Sequence, residues 1–105
     1  MKHAWWSATV VAALALSACS GESMSPAAER GRQIFQGQCT TCHNADPAQP
    51  GPVGPAVKGS SRGLIEGKVL RGAYPPGYKP KRPTTAMPPM PQLAGDIDGL
   101  AAFLK

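Results

Sequence analysis

Cys39-Thr40-Thr41-Cys42-His43 sets two thiols two residues apart, with an imidazole directly behind them. On a helical turn, thiols at this spacing can both bond to one partner, and the adjacent histidine is then forced onto that partner's axis. Three ordinary uses of the pattern compete: a thioredoxin-like redox pair, a structural disulfide and part of a zinc site. The redox pair belongs in a βαβ setting, which a 105-residue chain with twelve Gly and twelve Pro does not offer. Zinc takes four ligands. Beyond the motif the chain has only His3, in its leader, and Cys19, which has another use described below.

The full pattern C-x-x-C-H is the attachment signature of c-type haem, in which each thiol adds to a porphyrin vinyl group and the histidine becomes the proximal iron ligand. Cys39 and Cys42 are therefore the candidate covalent haem residues and His43 the candidate metal ligand. The composition calls for such a group. Only 42% of residues are apolar and Gly and Pro are abundant, while a domain this small rarely gains more than roughly 3–5 kcal/mol from its own core. A covalently held haem supplies a large flat apolar centre.

Outward toward the N-terminus, Lys2 gives a short positive start and Ala4 to Leu16 an apolar run. The run falls short of the roughly 20 residues of a bilayer-spanning helix and has the shape of an export signal, residues 1–18. Leu16-Ser17-Ala18-Cys19 then resembles the bacterial lipobox, which implies that Cys19 is lipidated and becomes the new N-terminus. Cleavage at another small residue, releasing a soluble protein, is the alternative. Two or more acyl chains hold a protein firmly to a membrane. Residues 19–27, small and polar after the cysteine, are expected to form a flexible spacer. Ser20 replaces the aspartate that marks inner-membrane retention in some bacteria, so the expected location is the periplasmic side of the outer membrane.

Outward toward the C-terminus, three landmarks accompany the motif. Ala28 to Phe35 carries a Gly and an aromatic four residues apart, Gly31 and Phe35. Gly54-Pro55-Ala56-Val57-Lys58-Gly59 follows the motif, and Asp96 to Leu104 places Ile97, Leu100, Ala101 and Leu104 on one helical face, beside Phe103. With the C-x-x-C-H, these stretches resemble the small bacterial class I cytochromes c over Pro26 to Lys105. The resemblance implies an all-α fold of three to four short helices and Gly/Pro-rich loops around one haem, with residues 28–105 as the domain. It implies that Gly31 admits close approach of the first and last helices, and that Phe103 packs on the first. It makes the Pro55 carbonyl the partner of His43 Nδ1–H, a bond that fixes ring plane and tautomer. Between these stretches, Ser60 or Ser61 can cap a helix ending at Leu70 or Arg71. Gly99 is expected to weaken the last helix by about 0.5–1 kcal/mol.

The family's distal ligand is commonly a methionine in Ala-Met-Pro ahead of the last helix, which points to Met87, with Met90 as the alternative. Pro88 and Pro89 stiffen that loop. Ala73 to Pro83 is a basic, proline-rich loop: Lys79, Lys81 and Arg82 are candidates for steering a partner, and Tyr74 and Tyr78 for edging the haem. Asn44 to Pro52 shows no role.

These features make the chain a membrane-tethered monohaem electron carrier rather than an enzyme. No paired carboxylates, Ser/His/Asp set or phosphate loop accompanies the haem motif. The alternatives are a haem subunit bound to a dehydrogenase and a haem gas sensor with displaceable Met87. The net charge of +5 lies on scattered residues, without the dense run or interleaved aromatics of a nucleic-acid face. The expected partners are redox proteins with acidic docking surfaces, met by a monomer.

Overall fold

The computed structural model describes residues 23–83 and 85–105. The expected export signal and Cys19 lie outside the described residues. Among those described there are three α-helices and no strand, and no helix is long and apolar enough to cross a membrane.

Helix α1 spans Pro26–Gln38, with Ser25 as its N-cap. Ser25 Oγ accepts from the Ala28 N–H at 3.1 Å, and Pro26 sits in the first turn, where its missing N–H costs no intrahelical bond. Ala28, Gly31 and Phe35 form its buried face. Helix α2 spans Arg62–Arg71. Of the two serines expected to cap it, Ser61 does so, accepting from the Leu64 N–H at 3.1 Å. Gly72 stops it in the left-handed region at φ 65°, donating to Lys68 O at 3.1 Å. A residue with a Cβ would be strained there.

A 3₁₀ helix over Pro91–Asp96 leads into α3, Ile97–Leu104. The α-helix thus begins one residue later than the apolar pattern suggests, because Asp96 belongs to the tighter turn that Pro91 opens. Ile97, Leu100 and Leu104 are buried, as the helical face predicts, and Gly99 is buried with them.

Helices α1 and α3 pack so closely that an added Cβ on Gly31 would lie 1.9 Å from Gly99 O. One on Gly99 would lie 3.0 Å from Ala27 O. The glycine that weakens α3 locally is therefore what lets it meet α1. Phe35 and Phe103 complete the crossing with tilted rings 5.5 Å apart. The core joins Phe35, Ile97 and Leu100, each 2% exposed, to Ile65, Val69, Leu93 and Leu104. It is small, and one side of it opens onto a cleft.

Candidate functional site

The motif leaves α1 without a break. Cys39 is the C-cap of the helix and donates to Phe35 O at 3.0 Å; its own carbonyl then accepts from Cys42 N–H at 3.3 Å and His43 N–H at 3.0 Å. This tight turn sets Cys39, Cys42 and His43 on the wall of one cleft. Both thiols are free and half-buried. Burial pushes the Cys39 thiol up to about 11, so it is protonated at neutral pH. Conversion to a thioether leaves nothing to ionise at that apolar position.

The following loop is built around the turn. Cys42 O accepts from both Gly54 N–H at 2.8 Å and Val53 N–H at 3.2 Å, and Gly51 N–H donates to Gly54 O at 2.9 Å. Two of its glycines are required by contact. A Cβ on Gly51 would stand 2.2 Å from Cys42 O, and one on Gly54 would stand 2.4 Å from His43 Cε1. The imidazole thus lies flat against a bare backbone. Pro55 O is 2.9 Å from His43 Nδ1. That carbonyl can only accept, so Nδ1 carries the proton and Nε2 keeps its lone pair for a metal.

The cleft is open on one side and lined mainly by apolar side chains. Leu64, Ile65, Val69, Leu100 and Leu104 provide its apolar wall, and Phe35 lies at its back, its ring centroid 6.5 Å from that of His43. Met87 lines the same cleft. Met90 is not among the lining residues; like Met87 it packs against the core, and its N–H donates to Val69 O. A planar apolar group bonded to two thiols, with a metal seeking nitrogen and thioether donors, suits this set. Among the described residues, no three of His, Cys, Asp and Glu gather as an alternative metal cluster.

The basic loop closes the cleft's remaining side. Tyr74 and Tyr78 stack at 5.3 Å with planes 17° apart, and Lys68 Nζ sits 4.3 Å above the Tyr74 ring. All three line the cleft. Two of the expected steering cations are engaged in the loop itself: Lys81 Nζ donates to Ala56 O at 2.9 Å, and Arg82 Nη1 to Val53 O at 2.7 Å and Gly51 O at 3.2 Å. Lys79 remains exposed.

Sequence reasoning missed three contributors: Gly51, Gly54 as the backing of the His43 ring, and Lys68. Gly51 lay in a loop read as having no role, and its proximity to the Cys42 carbonyl carries no local sequence mark. Gly54 stood within a quoted landmark, but its reason is a contact with a ring eleven positions earlier.

No curated protein sequence matches the chain. The cytochrome c family model matches residues 28–105, which span α1, the thiol turn, the glycine-backed imidazole and α3. The chain belongs to the cytochrome c family and is an electron-transfer protein that binds haem c covalently through Cys39 and Cys42.

Proposed function

We propose that the protein is a lipid-tethered, monomeric one-electron carrier in which His43 and Met87 fill the two axial positions of the haem iron. The observation that carries this reading is that the thiol pair, His43 and Met87 border one apolar cleft whose lining does not include Met90. The haem supplies reversible exchange of a single electron. His43, with Nδ1 engaged by Pro55 O, offers Nε2 as a firm nitrogen donor. Met87 offers a weak thioether from a loop stiffened by Pro88 and Pro89. With both axial positions taken there is no vacancy for a substrate, which favours outer-sphere transfer over catalysis. The apolar wall excludes water, which together with the thioether raises the potential.

Ferric Met87→Ala protein is expected to lose the weak far-red absorption of thioether-ligated haem. Its potential should drop on the order of 100 mV, a fraction of the roughly 0.8 V that axial ligands span. Retention of that band in Met87→Ala, with loss in Met90→Ala, would reverse the assignment.

The tether is Cys19, on the periplasmic face of the outer membrane, carried by a spacer shorter than the expected residues 19–27, because Pro26 and Ala27 belong to α1. The support is the tetrad Leu16-Ser17-Ala18-Cys19 behind an export signal. The intact mass of native protein should contain one porphyrin plus acyl chains. Cys19→Ser should keep the porphyrin mass, lose the acyl mass and leave the membrane fraction. A native mass with porphyrin alone would remove the tether and leave the carrier.

The partners are redox proteins with acidic surfaces. Lys79 is exposed, and Lys68 sits on the cleft rim over Tyr74. Such charges speed encounter more than they tighten the complex.

A further inference from the structure

The described residues between 73 and 90 form a long loop without helix or strand. Its ends are fixed: Ala73 N–H donates to Gly67 O at 3.0 Å, and Met90 N–H to Val69 O. A thioether is a weak ligand, and a loop of this length has many conformations to lose when it places one. Something must restrain its middle.

Arg82 and Lys81 do so, through three charge-assisted bonds to the backbone of residues 51–56. The acceptors, Gly51 O, Val53 O and Ala56 O, flank the two residues that set the imidazole: Gly54, which backs the His43 ring, and Pro55, which binds Nδ1. One short segment thus orients His43 and also receives the loop that carries Met87. Arg82 is half-buried and lines the cleft. Charge-assisted bonds are about twice as strong as neutral ones, and two of them end on one guanidinium nitrogen. Only four residues, the first of them Pro83, separate Arg82 from Met87 in the sequence, so restraint at Arg82 shortens the free segment that carries the methionine.

We propose that Arg82, assisted by Lys81, is a positioning residue for Met87: it straps the methionine loop to the histidine loop and so protects the axial thioether from displacement by outside ligands. This rests on Met87 as the distal ligand. It gives Arg82 and Lys81 a task different from partner steering.

The test is a titration of ferric holoprotein with imidazole, followed by loss of the far-red band. Arg82→Ala should bind imidazole about tenfold more tightly than the unaltered protein, because the unstrapped loop regains more conformational freedom when Met87 departs. Arg82→Lys, which keeps one charged donor, should stay within about threefold of the unaltered protein, and Lys81→Ala should rise two- to threefold, roughly in proportion to the bonds removed. Arg62→Ala is the control. It breaks exposed pairs with Asp98 and Glu66, each at 2.6 Å, that involve neither the methionine loop nor the histidine loop, and should leave imidazole affinity unchanged even if the melting temperature falls. Unaltered affinity in Arg82→Ala, or an equal rise in Arg62→Ala, overturns the strap while Met87 stands. If Arg82→Ala does not accumulate as holoprotein, unaltered affinity in Lys81→Ala overturns it. Absence of the band from the unaltered protein overturns the Met87 assignment and the strap with it.

Discussion

Cys39→Ala/Cys42→Ala protein is expected to lose most of its helical circular dichroism at 25 °C and to melt without a cooperative transition. The reason lies in how little the chain buries by itself. Its core is a handful of side chains, and a scaffold of this size seldom draws more than roughly 3–5 kcal/mol from such a core. Ile65, Val69, Leu100 and Leu104 belong to that core and, with Leu64, also wall the cleft. Without the covalent group the cleft beside them is left unfilled. The thiols also fix where the group sits relative to α1, because Cys39 is the residue that ends the helix. A double variant that keeps the helix content and melting temperature of the holoprotein would show that the polypeptide packs unaided.

Gly31→Val should be the most damaging single change away from the haem, lowering stability by about 3 kcal/mol, at the upper end of ordinary overpacking penalties. The first added carbon alone would sit 1.9 Å from Gly99 O, 2.4 Å from Gly99 C and 2.9 Å from Leu100 N. All three are backbone atoms, so no side-chain rotation relieves the clash, and α1 and α3 must separate. Phe35 and Phe103 would part with them. For a domain of this size each kcal/mol corresponds to roughly 4–8 °C in melting temperature, so thermal denaturation followed by circular dichroism decides the matter. Gly37→Ala in the same helix is the contrasting case. Nothing lies within 4 Å of its added Cβ, and it should stabilise by about 0.5–1 kcal/mol through helix propensity alone. Similar responses from the two variants would mean that the helix crossing does not govern stability.

Much of this was legible because it is local. The C-x-x-C-H spacing, the Ser61 cap, and the face of Ile97, Leu100 and Leu104 each depend on residues within two turns of one another. What was not legible depends on distant pairs. Gly99 reads in isolation as a flaw in α3, since the backbone it accommodates belongs to Ala27 and Gly31 at the other end of the domain. Helix α1 was expected from Ala28 to Phe35 but runs to Gln38, since the first cysteine of the motif doubles as its cap. Lys81 and Arg82 look like solvated charges along the chain, yet their acceptors stand 25 to 31 positions earlier. The turn residues Gly51 and Gly54 suggest a loop, and only the packed arrangement shows that the loop exists to seat Cys42 and His43.

The pairing of α1 with α3 also bears on the order of events during biogenesis. Helix α1 has its main neighbour in α3, so the seam cannot close until synthesis has delivered the rest of the domain. The sulfhydryls and imidazole, by contrast, emerge tens of residues sooner. The thiol turn is thus available for attachment before the two ends of the domain meet.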